Sequence, residues 1–286
     1  MRLGYLGPAG TFTHAALLRS PVAAEAEAVP FTTERETILA AEAGEVDAGI
    51  VPIENSLEGG VNATLDTLAL DAHGARIVGE EILPVTHALI ARPGVDVDDV
   101  EAVVSHPQAL GQCRRFLADV LPGRRAIAAT STADAVRAIA ESAEPWAAIG
   151  TTAAAELYGC AVLREGIEDE PGNETRFVWI APRADRSAPP FAAPAGDAPY
   201  KTSLVFHGAG DVAPGWLVRC LSEFAFRGIN LTRIESRPRK GRLGHYLFLA
   251  DLEGREGDPA VDDAVQGLRA HCEEVRVLGS YPVAGA

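Results

Sequence analysis

Four cysteines in 286 residues, at 113, 160, 220 and 272, stand 47, 60 and 52 positions apart. That spacing contains no CxxC pair and no Cys/His metal pattern, which argues against a zinc site or a disulfide framework. Reduced, mostly buried thiols in a cytoplasmic protein are the expected state. Lysine is scarcer: of 25 basic residues only Lys201 and Lys240 are Lys, a coding bias more than a functional signal. No stretch approaches the ~18 apolar residues that would span a membrane. The opening MRLGYLGPAG puts one Arg, then Gly and Pro, where a secretory leader needs an apolar run, so no leader is expected. GxSxG, Walker and HExxH motifs are missing, and so is a convincing Ser/His/Asp set.

Basic residues are also few overall, 25 against 40 acidic, for a net charge of −15. The deficit is uneven. From Lys201 onward there are 11 basic and 11 acidic residues, which leaves 14 basic and 29 acidic before it. An acidic front disfavours nucleic acid or an anionic membrane as partner, because each wants a basic face. A small anionic ligand needs only a local nest of positive groups. A hydrophobic fraction of 47% with 23% charged residues fits a globular chain. Its length fits about two domains at ~100–200 residues each.

The segment 182–200 has five Pro and six Ala in nineteen residues and coincides with the charge break, so it reads as an interdomain linker. Before it, strands and helices alternate. Strands are expected at 3–6, 47–52, 102–105, 147–150 and 176–181. Helices are expected after Thr11, from Thr33-x-x-Glu36, after Ser105-x-x-Gln108, after Ser131-x-x-Asp134 and at 151–158. Such alternation predicts α/β architecture with largely parallel sheets. After the linker the order is strand 202–207, helix 214–227, strands 229–236 and 244–252 joined by a basic turn at 237–242, helix 259–271 and strand 275–283. That is the ferredoxin-like βαββαβ order.

Ligands of open α/β sheets bind beyond the carboxyl ends of the strands. Four corners there carry polar residues. Gly7-Pro-Ala-Gly10 with Thr11 brings backbone N–H groups and a helix start together. Glu54, Asn55 and Ser56 follow a buried strand, with helix capping by Asn55 or Ser56 as the plain alternative. In Ser105-His-Pro-Gln108, capping accounts for Ser105 and Gln108 but leaves His106 unexplained. Thr175 and Arg176 enter a buried strand, where Arg demands a partner: a substrate carboxylate, or a salt bridge to Glu168 or Asp169. Together the corners suggest a cleft for a small anion without naming a reaction.

The same segments, in this order, resemble prephenate dehydratase: GYLGPAGTFTHAAL at 4–17, VPIENSLEGGVNATLDTL at 51–68, SHPQALGQC at 105–113 and GNETRFVWI at 172–180. The tail, with GINLTRIESRP at 228–238, resembles the ACT regulatory domain that follows this catalytic domain. The resemblance implies a catalytic domain at 1–181 built like a type 2 periplasmic binding protein, with one lobe at 1–78 plus 162–181 and the other at 79–161, the linker at 182–200, and an ACT domain at 201–286. Since the first strand begins at residue 2, no chorismate mutase domain is expected in front.

The implied reaction turns prephenate into phenylpyruvate, CO2 and water, with no cofactor and no metal. Thr175 matches the family's catalytic threonine, assisting the leaving hydroxyl. Arg176 would pair with a substrate carboxylate or order the strand. Thr11, Asn55, Ser56, His106, Gln108 and Phe177 would line the substrate site. The resemblance also implies feedback by L-phenylalanine, bound between ACT domains of a homodimer or homotetramer. Asn230, Leu231, Glu235, Ser236 and Arg237 match one effector motif; Gly215, Trp216 and Leu217 match the other. Trp216 departs from the usual Ala and could fill, weaken or leave that pocket. Arogenate dehydratase, or a non-catalytic amino-acid sensor on the same scaffold, are the alternatives.

Overall fold

A computed structural model describes residues 1–183, 198–208, 213–241 and 243–284. Most of the expected linker, 184–197, and Arg242 of the basic turn lie outside the described residues. The chain opens with β1 (Arg2–Leu6), α1 (Phe12–Leu18), β2 (Glu27–Phe31), α2 (Glu34–Ala43), β3 (Ala48–Asn55), β4 (Gly59–Gly60), α3 (Asn62–Asp66) and β5 (Ala75–Pro84). It continues through β6 (Ala88–Ala91), β7 (Ala102–Ser105), α4 (Pro107–Gln112), α5 (Arg114–Val120), β8 (Arg125–Ala128), α6 (Thr132–Glu141), β9 (Trp146–Gly150), α7 (Thr152–Leu157) and β10 (Ala161–Glu165), and returns on β11 (Glu174–Pro182). The last part is β12 (Tyr200–His207), α8 (Trp216–Ala225), β13 (Leu231–Pro238), β14 (Tyr246–Glu253), α9 (Pro259–Arg269) and β15 (Glu274–Pro282).

Two sheets repeat one topology. The first runs β2-β1-β3-β11-β5, with β4 on β3; the second runs β8-β7-β9-β6-β10. In each, three parallel strands come first, and the strand that arrives after a crossing, β11 or β6, inserts antiparallel beside them. This is the two-lobed layout of type 2 periplasmic binding proteins. The crossings fall at 85–87 and 166–173, not at 78/79 and 161/162. The reason is pairing: β5 stays with β11 as far as Pro84, opposite Glu174, and β10 pairs with β6 from Ala161 opposite Ala91.

Local chemistry explains the helix starts. The hydroxyls of Thr11, Thr33, Ser131 and Thr151 accept from backbone N–H groups two or three residues into the first turn. Ser105 does not cap. Its hydroxyl donates to the Ile149 carbonyl at 2.7 Å, tying β7 to β9, and His106 caps α4 instead by accepting from Gln108 N. The single helix expected after Ser105-x-x-Gln108 is two, broken at Cys113, which is buried and free. Burial pushes the Cys113 thiol up to about 12, with Asp169 and Glu168 adding to it, so it stays a protonated core side chain.

The third sheet, β13-β14-β12-β15, is antiparallel throughout and has the ferredoxin-like order. Period-2 alternation gives it two buried faces. Leu204, Phe206, Ala250 and Leu252 pack with Trp216, Cys220, Phe224 and the α9 residues Val261 and Leu268. Val205, Leu247, Leu249, Leu278 and Tyr281 face the other way and share one apolar cluster with Ile53, Leu65, Ile77, Val178 and Ile180 of the first lobe. The C-terminal domain is therefore seated on the first sheet through its open face.

Candidate active site

The carboxyl ends of β1, β3 and β7, with the two crossings, meet at a cleft of about 290 Å³. Thr11, Phe12, Asn55, Thr175 and Phe177 come from the first lobe; His106, Gln108, Gln112 and residues 130–132 come from the second. The crossings add Val85, His87 and Asn173. Among the described residues lining it there is one carboxylate, Glu34, and no Arg or Lys. The starts of α1, α4 and α6 face this space, and the positive end of a helix suits an anion.

Polar contacts fix the donors. Asn55 Oδ1 accepts from Leu57 N and Glu58 N, each at 3.0 Å, which sets the amide so that Nδ2 points back. Nδ2 then donates to Thr175 Oγ1 at 3.0 Å and to Asn173 Oδ1 at 2.7 Å. Because Thr175 Oγ1 accepts that hydrogen bond, its own O–H remains available to an acceptor in the cleft it lines. Ser56 donates to Asn173 Oδ1 at 3.3 Å and accepts from Glu174 N at 3.0 Å, so it braces the loop that holds Asn55. Asn173 in turn donates to Gln112 Oε1 at 3.3 Å, across the lobes.

His87 meets the same Gln112 oxygen through Nε2 at 3.0 Å, and its ring stands edge-on to Phe12. It is only 3% exposed, and burial lowers its pKa, outweighing Gln112 and Glu168. The neutral ring is thus a donor at Nε2. At the other rim the lobes touch: Thr151 donates to the Gly10 carbonyl at 2.9 Å and Tyr158 to the Ala9 carbonyl at 3.0 Å. Gly10 has φ of 89°, and a Cβ there would lie 3.1 Å from Ala154 Cβ, so only glycine permits this approach.

Six expected residues, Thr11, Asn55, His106, Gln108, Thr175 and Phe177, line the cleft. Thr11 is engaged as well, since its hydroxyl lies 3.1 and 3.0 Å from the Leu6 and Pro8 carbonyls. Ser56 sits behind the lining. Arg176 does not line the cleft, and of its two expected uses its contacts fit ordering the strand and not pairing with a substrate carboxylate. Strand alternation turns it away from the cleft that Thr175 faces, and its guanidinium is paired with Glu54 at 2.9 Å, Glu80 at 3.2 Å and Asp251 of the C-terminal domain at 2.6 Å. Neither Glu168 nor Asp169 is a partner. Burial works to lower the Arg176 pKa, but Asp251, Tyr281, Glu80 and Glu54 raise it further, so the charge is permanent. His87, Gln112, Asn173 and the 130–132 corner went unpredicted. The last lies at a strand-to-helix corner, the criterion that found the others; Asn173 falls inside the GNETRFVWI segment without having been singled out, and His87 lies in a crossing with no sequence signature.

The expected effector residues separate into two places. Gly215, Trp216 and Leu217 border a hollow of about 250 Å³ with Val218, Tyr246 and Phe248. Trp216 is turned inward, 4% exposed, against Phe206 and Phe248, with its indole N–H on the His271 carbonyl at 2.7 Å. The β13 residues do not line that hollow. Glu235 pairs with Arg233 at 3.0 Å and Arg237 with Asp66 of the first lobe at 2.9 Å, while Asn230 donates to Glu253 at 3.0 Å. Ser236 is exposed and Leu231 half-buried against the helices.

Fold and site together define a two-lobed α/β cleft protein whose cleft is lined by uncharged donors and helix starts, with a ferredoxin-like domain docked behind it. A family model for prephenate dehydratase matches residues 3–185, and the chain belongs to that family. A relative from Mycobacteroides abscessus named prephenate dehydratase is 43% identical over 98% of this chain and 90% of its own. The solved prephenate dehydratase from Arthrobacter aurescens, in complex with L-Phe, is 40% identical over 99% of this chain and 90% of its own, with a TM-score of 0.88. A solved protein described as a quorum-quenching acylase is 29% identical over 100% and 99%, with a TM-score of 0.85.

Proposed function

We propose that the cleft converts prephenate, with one proton, into phenylpyruvate, CO2 and water. Loss of CO2 sends an electron pair through the ring and expels the ring hydroxyl, which needs a hydrogen bond or a proton as it leaves. The observation that carries the reading is the Thr175 hydroxyl, its oxygen occupied by Asn55 and its proton free for the leaving oxygen. An alcohol is a weak acid, so Thr175 stabilises or relays more than it donates outright. The missing cations fit the same chemistry. A strong salt bridge would anchor the carboxylate that must depart, whereas helix starts and amides hold the dianion without trapping it.

The relative described as an acylase makes acyl transfer the competing use of this scaffold. Acyl transfer needs a nucleophile with an adjacent base. The group bonded to Thr175 Oγ1 is the Asn55 amide, which is no base. On this reading the chain works in the cytoplasm as a homo-oligomer, with L-phenylalanine as effector between the C-terminal domains of two subunits, at Gly215, Trp216 and Leu217 on one side and Asn230, Leu231, Glu235, Ser236 and Arg237 on the other. The fully inward Trp216 supports a hollow that is still open to a ligand.

Thr175→Ala tests the assignment. The variant is expected to fold and to lose turnover on the order of 10²–10³-fold, as when one transition-state donor is removed. Near-wild-type phenylpyruvate formation would remove Thr175 from the chemistry. The same assay on arogenate decides which of the two substrates is preferred, and added phenylalanine should lower the rate.

A further inference from the structure

We propose that Asp251, in the C-terminal sheet, is a positioning residue for the cleft: through Arg176 it fixes the step of β11 that presents Thr175. The inference rests on the role of Thr175 proposed above.

Strands β3 and β11 present their residues in matched pairs. Thr175 lies opposite Asn55 on the cleft face, and Arg176 lies opposite Glu54 on the far face. Each pair is joined by its side chains, at 3.0 Å and 2.9 Å. Immediately after Arg176 the register between β11 and β3 shifts. The residue left out of that ladder is Ile53 of β3, while β11 keeps an unbroken register with β5 from Glu174 to Trp179. The far-face ion cluster adds a side-chain anchor to the same step, at the point where the β3 ladder is interrupted.

That cluster belongs to both domains. Asp251 Oδ2 lies 2.6 Å from Arg176 Nη2, while its Oδ1 accepts from Ser203 at 2.6 Å, and Ser203 contacts the Tyr281 hydroxyl at 2.7 Å. Arg233 approaches the same carboxylate at 3.7 Å. Lys201 of β12 holds Glu80, the third carboxylate on Arg176, at 2.9 Å. Strands β12, β14 and β15 thus converge on one guanidinium beside Thr175. Asp251 is 2% exposed and Arg176 8%, so breaking their pair would leave a buried carboxylate with only the more distant Arg233 as countercharge, and Arg176 with Glu54 and Glu80. A small displacement of the C-terminal sheet therefore has to be answered at β11.

Strand β14 also reaches the hollow. Tyr246 and Phe248 border it, and Asp251 follows three residues on, about 10 Å along the strand. With β12 on one side and β13 on the other, β14 is laddered into the sheet and moves with it. An occupant of the hollow presses on the strand that carries the Arg176 partner.

The test is Asp251→Asn in the full chain, assayed per folded molecule. Expected are a fall in kcat of about ten-fold, KM within about two-fold of wild type and a flattened response to phenylalanine, with no further loss when Asp251→Asn is added to Arg176→Met. A purely structural role would lower the melting temperature and leave kcat of the folded fraction unchanged, and that result overturns the proposal. If the variant does not fold, Ser203→Ala decides. It removes one bond to Asp251 without unpairing a charge, and kcat and phenylalanine response both equal to wild type would refute the role. Failure of the wild-type chain to consume prephenate would instead sink the proposed function, a separate result.

Discussion

The Asn55 amide donates to the Thr175 hydroxyl oxygen at 3.0 Å, and two backbone N–H groups on Asn55 Oδ1 forbid the reverse orientation. Asn55→Asp keeps an acceptor for those two N–H groups and removes the donor. Thr175 would then give its proton to the new carboxylate and not to substrate. Turnover is expected to fall on the order of 10²-fold, and the melting temperature to drop as well, because the buried carboxylate also faces Asn173 Oδ1, which loses its donor. Steady-state kinetics beside a thermal melt check this, and wild-type turnover in a folded variant would contradict it.

Burial lowers the pKa of both His87 and His14 below the ordinary 6.5. The unfolded chain therefore takes up these protons first as pH falls. Stability is complete above about 6.5 and declines through the window between that value and the lowered folded pKa values, by at most ~1.4 kcal/mol per group per pH unit. Urea denaturation at pH 7.5, 6.5 and 5.5 should show the decline, and His87→Gln should make it shallower. An unchanged slope in His87→Gln would mean that His87 does not titrate on unfolding.

At the domain junction, a Cβ on Gly279 would sit 2.0 Å from the Ile77 carbonyl oxygen, which is backbone and cannot rotate away. Gly279→Ala must therefore lift β15 off β5. A loss of about 1–3 kcal/mol is expected, as for other overpacked contacts. Calorimetry should show a lowered melting temperature, and turnover should fall with it because Asp251 rides on the displaced sheet. An unshifted melt would show that the interface tolerates the separation.

Much of the site was legible in the sequence because helix starts at strand ends carry local signatures. Thr11, Thr33, Ser131 and Thr151 cap helices through contacts spanning three residues. Ser105 misled for the same reason in reverse: its hydroxyl had a local use as a cap and took a distant one, on Ile149. The lobe boundaries slipped by several residues because strand pairing, not composition, decides how far β5 and β10 extend.

The sequence by itself determined the element order after residue 200, five of the eleven strands before it, and the polar corners that include Asn55 and Thr175, since these follow from periodicity and short-range hydrogen bonding. Tertiary structure alone decided whom Arg176 meets. Its partners Glu54, Glu80 and Asp251 lie 122, 96 and 75 positions away. A buried guanidinium demands countercharge, but no local pattern says where the fold will supply it. The same holds for His87 and Asn173, which reach the cleft only because two crossings bring both lobes to one place.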